Sequence, residues 1–583
     1  MSDRPAPESV SAAPSAWPIF RSLAGYRPEW LKADLLAGLT VWAVLVPEAL
    51  AYATIAGVSP VVGLYAAPGA LLLYAAFGSS RHLVTGPMAA TAALSAAIVG
   101  DIAAPGSDQF LAFTIAIALT VGFIALLAGL LRLGFLANFI SEPVLKGFII
   151  GLALTIIVGQ LPKLFGIPGG DGDFFEKLGA FLTGIGDTNL PTLVVGLISL
   201  AIVVGLKEFL PVVPGSLVAV GFGIAAVAIL GLDEQDVDIV GPIQAGLPTL
   251  GLPDVAAVDY LKLVPAAIGV ALIGFAEGLG AAKTYATKHH YTIDANRELL
   301  GLGTANLAAG ISGGMVVNGS LSKTAVNGGA GAKTQVSGLF VAALTIVTLL
   351  FFTGLFEDLP EATLAAIVIA ALVELIDVRS LQSFYRIHTG RLGRIYGRAT
   401  REDFIAAMAA LFGVLIFDTL PGLFIGIVVS VVLLVYRASR PNIAVLGLVP
   451  GTSDQYGDIE RHPENATTNG IVILRPESLL FFANADEVRA SIGRHAADPG
   501  VRAVVLDLET VSTVDVTAAR ALAEAAEDLA NAGKRLILAH DIGQVRDVLR
   551  ASGEGSLVMV RTVAEAVAAV ETGTTADPGT PAV

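Results

Sequence analysis

The chain has 583 residues, of which 54% are hydrophobic and only 15% are charged. This composition is typical of a multi-span membrane protein and excludes a soluble enzyme. Cysteine is absent, which excludes disulfides and thiol–metal chemistry. The net charge of −15 is uneven, because residues 442–583 hold 20 Asp and Glu against 11 Lys and Arg, a balance of −9. The acidity therefore gives no indication of a nucleic-acid partner.

The first half of the chain begins with a polar, proline-rich arm, residues 1–30, that lacks the apolar core of a cleaved signal peptide. We interpret it as a cytoplasmic arm, and we expect the first apolar segment to act as its own insertion signal. Seven elements follow, and the third is interrupted by glycine and proline. They are predicted at 33–56, 61–77, 82–97 (interrupted), 109–132, 141–161, 191–205 and 214–231.

The same pattern then restarts. Seven further elements are predicted at 260–285, 298–311, 313–335 (interrupted), 334–354, 361–377, 403–417 and 422–437. Because each half has an odd number of elements, the two halves cross the membrane in opposite directions. The sequence predicts an α-helical multi-span membrane protein of 14 segments, arranged as 7+7 inverted repeats within a transmembrane domain at 31–440.

Charged loops indicate the orientation of the chain. The loop 378–401 holds six arginines and no acidic residue through Thr400, so it is predicted to face the cytoplasm. The loop 232–259 holds six acidic residues and no Lys or Arg, and it falls on the outside. We expect both termini to be cytoplasmic and the protein to lie in the inner, or cell, membrane.

The two interrupted elements are the strongest functional signal. Each reads as a few extended residues, a glycine, and then a half-helix too short to cross a bilayer. Non-helical backbone is tolerated at membrane depth only where protein or a water-filled cavity surrounds it. Helix N-termini offer unpaired N–H groups and a partial positive charge, so two that face each other would hold an anion. The candidate anion-binding residues are Gly86, Pro87, Met88, Ala89, Gly319, Ser320, Leu321, Ser322 and Lys323.

Within that site, Ser320 and Ser322 offer hydroxyl donors and Lys323 offers a cation. The alternative interpretation is that the glycines and serines serve only close packing between helices. The paired placement of the two interrupted elements favours a binding site.

Two acidic residues lie in the middle of predicted spans, Glu48 in the first and Glu277 in the eighth. An ionisable group at that depth is costly and indicates function, and burial favours its protonated form. We interpret Glu277 as the first candidate for proton coupling and Glu48 as the second. The alternative for Glu277 is an ion pair with Lys323 or Lys283. For Glu48 it is packing beside the kink expected at Pro47, with access to water.

From about residue 441 the composition changes to that of a soluble α/β domain, predicted at 441–571 and followed by a disordered tail at 572–583. Segments 470–478 and 479–484 are predicted as paired strands. Alternating helices and strands then follow. Helices are predicted at 485–497, 516–533, 542–553 and 562–570, and strands at 501–509, 534–540 and 557–560.

Several long motifs, in order along the chain, resemble those of the SulP family of anion transporters (solute carrier family 26). They are PEALAYATIAGVSPVVGLY at 47–65, LVTGPMAA at 83–90, GFAEGLGAAKTYA at 274–286 and NGSLSKTAVNGGAGAKTQVSG at 318–338. DLETVSTVDVTAARALAEA at 507–525 resembles the centre of a STAS domain. The resemblance covers about residues 20–570.

The resemblance implies core and gate domains, a homodimer, alternating access, and a carboxylate at the position of Glu277 that couples transport to protons or sodium. The chain departs from the family at three positions. Glu48 stands where the family usually has Gln, and Lys323 where it often has Arg. Val516, after Asp515, stands where related soluble proteins carry a phosphorylated Ser, which argues against a phosphorylation switch there.

The sequence predicts secondary active transport of a small oxyanion or carboxylate such as sulfate, bicarbonate or a dicarboxylate, with protons preferred to sodium as the coupling ion. The alternatives are an uncoupled anion exchanger or channel of the same fold, or a membrane-anchored STAS signalling scaffold. No catalytic pattern, nucleotide loop or metal-ligand spacing is present in the sequence, so we expect neither enzymatic activity nor a cofactor or metal. The expected partners are the anion, protons, the lipid membrane and a second copy of the chain.

Overall fold

The structure is a computed structural model that describes residues 19–135, 141–170, 172–210, 213–243, 245–389, 401–417, 419–551 and 557–572. Most of the predicted N-terminal arm, the centre of the basic loop at 390–400 and nearly all of the predicted tail lie outside these ranges. The described residues form two compact units, which divide between Ser430 and Val431.

The first unit is helical, and its first half contains the first interrupted element. Apolar helices bury their backbone groups internally, as a membrane requires. The elements are α1 (Leu31–Ile55), α2 (Pro60–Phe77), β1 (Val84–Gly86), α3 (Ala89–Gly100), α4 (Asp108–Leu130), α5 (Glu142–Phe165), α6 (Phe174–Gly184), α7 (Leu190–Phe209) and α8 (Gly215–Leu230). The helix α6 lies between the predicted elements 141–161 and 191–205.

The second half contains the second interrupted element. Its elements are α9 (Ala257–Lys288), α10 (Ala295–Ile311), β2 (Asn318–Ser320), α11 (Leu321–Gly329), α12 (Val336–Phe351), α13 (Glu361–Val373), α14 (Val378–Thr389), α15 (Arg401–Phe417) and α16 (Thr419–Ala438). Among the described residues, six helices are long and apolar enough to cross a membrane, and several shorter apolar helices accompany them. The count of fourteen crossings stays a prediction.

The helices of this unit pack in two groups. In one group α10 packs against α4 and α2, and α12 packs against α1 and α2. In the other, α5 packs against α15 and α13, and α13 packs against α7. Glycine permits the closest approaches, because a Cβ at Gly303 of α10 would lie 2.5 Å from the backbone nitrogen of Leu126 in α4. Contacts of α1 with α13 and α8 join the groups.

Buried Glu298 ties α10 to the connection that follows α2. Its carboxylate accepts hydrogen bonds from the Tyr74 hydroxyl at 2.6 Å, the Ser79 hydroxyl at 2.6 Å, and the backbone N–H groups of Ser79 at 2.8 Å and Ser80 at 3.0 Å. A buried charge is tolerated when several donors satisfy it. This carboxylate therefore fixes where the chain leaves α2 and enters the first interrupted element.

The second unit is an α/β domain around a six-stranded sheet of order β4-β3-β5-β6-β7-β8. The strands β5 to β8 pair in parallel, and β3 pairs antiparallel with both β5 and β4. Apolar clusters cover both faces, with α17, α18 and α19 on one and α20 on the other. The elements are β3 (Ile443–Leu448), β4 (Tyr456–Asp458), β5 (Ile471–Pro476), α17 (Ala485–Ala496), β6 (Ala503–Asp507), α18 (Val516–Asn531), β7 (Arg535–Ala539), α19 (Gly543–Ala551), β8 (Val558–Val560) and α20 (Val563–Glu571).

The prediction that 479–484 pairs as a strand with 470–478 is wrong. The Asn484 side chain accepts from the Phe481 N–H at 2.9 Å and donates to the Leu479 carbonyl at 2.8 Å. These bonds fold the segment into a turn before α17, and only Leu480 forms a single bridge, to Val514. The antiparallel partner of β5 is β3, a strand that the sequence analysis missed.

Replacing Glu298 by Ala is expected to lower the free energy of unfolding by about 3 kcal/mol, because it leaves two buried donors, on Tyr74 and Ser80, and two partly buried donors, on Ser79, without this acceptor. Thermal unfolding of the purified protein in detergent measures the change. Glu142→Ala removes an exposed carboxylate from the first turn of α5 and serves as the control. Equal unfolding temperatures for the two variants would contradict the role of Glu298.

Candidate anion site between two broken helices

The two interrupted elements meet as a short antiparallel ladder. Val84 is paired with Ser320, Thr85 with Gly319 and Gly86 with Asn318. All six residues are buried. The first strand ends shortly before α3 and the second ends at the start of α11. Because the strands are antiparallel, the two half-helices begin at opposite ends of the ladder. This confirms the predicted order of extended residues, glycine and half-helix in both elements.

The N-terminus of α3 is buried and has no side-chain cap. Its N-cap residue is Met88, which has no polar side chain, and the Ala89 and Ala90 positions that follow are buried. A helix leaves its first N–H groups without an intrahelical partner, and leaving them unpaired in an apolar interior is costly. The N-terminus of α3 thus presents N–H donors and a partial positive charge, which together favour the binding of a small anion.

The N-terminus of α11 is built differently. The Ser320 hydroxyl accepts a hydrogen bond from the Lys323 N–H at 3.2 Å and lies 3.1 Å from the Ser322 hydroxyl. Ser320 is fully buried, whereas Leu321 and Ser322 are exposed. The first turn of α11 is therefore the accessible part of the site, and Ser322 presents a hydroxyl there.

Lys323 is the cation of the site and is 1% exposed. Its ammonium lies 2.5 Å from the Glu48 carboxylate. It also donates to the Pro87 carbonyl at 3.3 Å and lies 5.0 Å from the ring centre of Tyr52. Lys323 thus reaches from α11 to the start of α3, and its charge is balanced by a carboxylate on α1. Tyr52 was not proposed from the sequence. Its position four residues after Glu48, one helical turn away on the same face of α1, would have indicated that it lies near the site.

The Glu48–Lys323 pair corrects one alternative from the sequence. Glu48 is 6% exposed and ion-paired, so the interpretation of loose packing with access to water is wrong. The sequence analysis considered Lys323 as a partner of Glu277 and did not find this pair.

Glu277 lies on α9, beside the second strand. The Asn318 side-chain amide donates to the Glu277 carboxylate at 3.4 Å, a long hydrogen bond. In the described residues the ion pair of Lys323 is with Glu48, and Lys283 is exposed. The second carboxylate is therefore near the ladder and is held by an amide.

Polar side chains from other helices hold the ladder in place. The Asn306 amide of α10 makes two 2.9 Å bonds, one to the Val317 N–H and one to the Val317 carbonyl. Thr324 accepts from the Val84 N–H at 3.1 Å. Sequence reasoning missed both residues, although an asparagine within the apolar α10 is a recognisable signal.

The connection after α11 is fixed by two further buried groups. The Asp34 carboxylate of α1 accepts from the Thr334 hydroxyl at 2.7 Å and the Lys333 N–H at 2.6 Å. The Gln335 amide donates to the Ser80 and Leu83 carbonyls at 3.0 and 2.8 Å. The segment after α11 is thus bonded both to α1 and to the connection that precedes β1.

Within the described residues, one group of side chains is spaced closely enough to hold a metal ion. It consists of Asp507, Glu509 and His540, in the C-terminal unit. Arg475 bonds both Asp507 at 2.6 Å and Glu509 at 2.8 Å, so these carboxylates already have a cationic partner.

Comparison with known proteins gives consistent matches. The sequence model of the sulfate permease family matches residues 31–393, and that of the STAS domain matches residues 462–567. A probable sulfate transporter of Mycobacterium tuberculosis is 36% identical over 90% of this chain and 92% of its own length. The chloroplastic sulfate transporter 4.1 of Arabidopsis thaliana is 32% identical over 93% of this chain and 80% of its own length.

Solved structures agree with these relatives. The structure of SLC26A9 has a TM-score of 0.82 at 25% identity, and covers 95% of this chain and 93% of its own. The transmembrane domain of the cyanobacterial bicarbonate transporter BicA has a TM-score of 0.59 at 24% identity, and covers 69% of this chain and 98% of its own. The helical fold with an appended α/β domain is thereby confirmed.

The fold and these matches define a multi-pass membrane protein that transports anions. The chain belongs to the sulfate permease family, also called SulP or solute carrier family 26, and carries the STAS domain that its C-terminal motif predicted.

Replacing Lys323 by Met is expected to lower the free energy of unfolding by about 3–5 kcal/mol, because Glu48 is left buried without its partner. The double variant Glu48→Gln with Lys323→Met removes both charges and is expected to recover most of that loss. Thermal unfolding in detergent tests both variants. Lys262→Met breaks the exposed pair with Asp259 and is expected to cost at most about 1 kcal/mol. A double variant no more stable than Lys323→Met would contradict the coupling.

Proposed function

We propose that the protein is a proton-coupled sulfate transporter that holds the anion between the N-termini of α3 and α11. The observation that carries the proposal is the uncapped, buried N-terminus of α3 beside an ammonium group that is already paired with a carboxylate. Sulfate is the first candidate substrate, because the family description and the curated relatives name it. Bicarbonate, named for a structural neighbour, and dicarboxylates are the competing substrates.

Binding follows from the geometry of the two half-helices. In the proposed site, the N–H groups at the start of α3, which have no side-chain cap, donate to the anion, and the exposed hydroxyl of Ser322 adds a donor from α11. The oxygens of sulfate accept hydrogen bonds from such donors, so the anion can bind without an unpaired buried cation. Gly86, Pro87, Met88 and Ala89 supply one side of the proposed site, and the residues from Gly319 to Lys323 supply the other.

Proton coupling follows from the ion pair. While Glu48 is charged, it neutralises Lys323, and an anion that enters meets no net positive charge. When Glu48 takes up a proton, the ammonium becomes available to the anion. Anion and proton therefore favour each other's binding, which is the thermodynamic requirement for symport. In this mechanism Glu48 is the coupling group, and Glu277 with Asn318 is the second candidate.

Accumulation of an anion against the membrane potential would require such coupling. An anion that enters a cell against about 100 mV, negative inside, is opposed by about 2.3 kcal/mol per charge, and sulfate by about twice that. No feature of the sequence supplies ATP hydrolysis, so an ion gradient must supply the energy. Co-transported protons offset the charge of the anion.

Alternating access would use the two helix groups. Both half-helices pack with the group that contains α1, α9 and α10, whereas α5, α7, α13 and α15 form the other group. We propose that the first group is the core, which carries the site, and that the second is the gate. The contacts of α1 with α13 and α8 would then slide as the core moves.

The orientation, domain limits and assembly are part of the proposal. We place the protein in the cell membrane with both termini and the STAS domain in the cytoplasm. The transmembrane domain spans 31–440, the STAS domain 441–571, and two copies form a homodimer. The STAS domain would tune or assemble the transporter without binding the substrate.

Uptake of labelled sulfate into proteoliposomes tests the function. An inward proton gradient is expected to drive accumulation, and unlabelled sulfate is expected to compete better than bicarbonate, fumarate or succinate. Uptake indifferent to the pH gradient would identify an uncoupled exchanger or channel. Absence of any anion flux in correctly folded protein would favour the signalling scaffold.

Ser322→Ala is expected to weaken the apparent affinity for sulfate by about 1.5–3 kcal/mol, the value of one hydrogen bond to a charged group. Initial uptake rates over a range of sulfate concentrations give the apparent affinity. The control is Ser312→Ala, because the Ser312 hydroxyl, at the end of α10, donates to the Ala308 carbonyl of that helix. Unchanged kinetics for Ser322→Ala would remove this residue from the site.

Glu48→Gln cannot take up a proton, and it leaves Lys323 uncompensated at every pH. In the variant, accumulation driven by a proton gradient is expected to be lost, because no proton can bind at this position, while exchange of labelled for unlabelled anion persists.

Glu277→Gln is the matched comparison for that experiment. If Glu277→Gln loses pH-driven accumulation and Glu48→Gln retains it, the coupling role belongs to Glu277.

A further inference from the structure

The basic segment after α13 contains an amphipathic helix, α14, that the transport mechanism does not use. Between residues 379 and 401 the sequence holds six arginines and no acidic residue. The helix follows the end of α13 directly and precedes α15, so it lies where the chain turns around between two apolar helices. With the orientation proposed above, that place is the cytoplasmic surface of the membrane.

One side of α14 packs on the protein. Leu381 contacts an apolar cluster of α5 and α15 formed by Ile150, Leu411 and Leu415. The Tyr385 ring packs edge-on against Phe404 of α15, with their centres 5.6 Å apart. Tyr385 nevertheless remains 51% exposed. The packing therefore leaves part of the apolar side uncovered.

A groove runs beside this uncovered part. It has a volume of about 340 Å³ and is lined by Leu381, Gln382, Tyr385 and Phe404. Arg379 is exposed one turn before Gln382, and among the described residues no carboxylate forms an ion pair with it. An apolar groove with an exposed arginine one helical turn earlier on the same helix matches an anionic lipid, whose acyl chain is apolar and whose headgroup is a phosphate diester.

The start of α14 is fixed to the gate helices. The Asp377 carboxylate accepts from the Ser380 N–H at 3.1 Å and the Ser380 hydroxyl at 2.5 Å, and pairs with Lys146 of α5 at 2.9 Å. The bonds from Ser380, with that from Lys146, hold the pKa of Asp377 well below its usual range. The carboxylate is therefore charged at any physiological pH, and α14 stays attached to α5.

We propose that α14 and the start of α15 form a binding site for an anionic phospholipid of the cytoplasmic leaflet, such as phosphatidylglycerol. The headgroup phosphate binds at Arg379, and an acyl chain lies in the groove between Tyr385 and Phe404. Because α14 is attached to α5 through Asp377 and Lys146, the bound lipid contacts the proposed gate. The inference rests on the proposed orientation and is independent of the transported anion.

Brominated lipids test the site directly, because bromine quenches a nearby tryptophan. The full-length variant Tyr385→Trp is reconstituted in phosphatidylcholine with equal fractions of brominated phosphatidylglycerol or brominated phosphatidylcholine. The wild-type protein supplies the background of its three native tryptophans. We expect the added tryptophan to be quenched more strongly by brominated phosphatidylglycerol than by brominated phosphatidylcholine. Phe404→Trp reports on the same groove from α15 and replaces Tyr385→Trp if that variant does not fold.

Arg379→Gln in the same background is expected to lower the relative affinity for phosphatidylglycerol about fivefold, which corresponds to about 1 kcal/mol for one arginine at the membrane surface. The matched control is Arg132→Gln, which removes an exposed arginine beyond the end of α4 and is expected to change nothing.

Two outcomes would overturn the proposal. Equal quenching by the two brominated lipids would exclude a preference for an anionic headgroup, and equal effects of Arg379→Gln and Arg132→Gln would exclude a specific site. If inorganic phosphate removed the preference and potassium chloride of the same ionic strength did not, the site would belong to a soluble anion. None of these readouts requires transport, so failure of this inference leaves the proposed function standing.

Discussion

Two helices that stop halfway through an apolar layer leave backbone groups that no water can satisfy. The ladder between β1 and β2 meets this constraint, and much of the surrounding structure serves it. Asn306 completes the hydrogen bonding next to β2, and Thr324 does so next to β1. The half-helix N-terminus at Ala89 has no side-chain cap, and its first N–H groups are the donors that we propose for the anion.

The second constraint is charge. A lysine that is 1% exposed requires a partner, and Glu48 provides it from a helix far away in the sequence. Such a pair is costly to bury and contributes little net stability. Its retention in a transporter is understandable if the Glu48 carboxylate occupies the place beside Lys323 until the anion and the proton bind.

The sequence alone predicted the features that depend on local chemistry. Glycine and proline at Gly86 and Pro87, between apolar runs, indicated the first broken element, and the ladder has the expected order. The partner of Lys323 could not be predicted this way, because Glu48 is 275 positions distant and partners at such separations depend on packing. In the C-terminal domain the apolar residues of 479–484 favoured a strand. The side-chain amide of Asn484 instead bonds to the backbone of this segment and stabilises a turn.

The uncapped start of α3 has a consequence for how the protein behaves in alkaline surroundings. The attraction of a helix N-terminus comes from peptide dipoles, which do not titrate. In the proposed mechanism the contribution of Lys323 depends on whether Glu48 has bound a proton, whereas the contribution of the α3 dipole does not. The transporter would therefore retain some affinity for its substrate at alkaline pH. It would then equilibrate the anion between the two sides of the membrane without concentrating it.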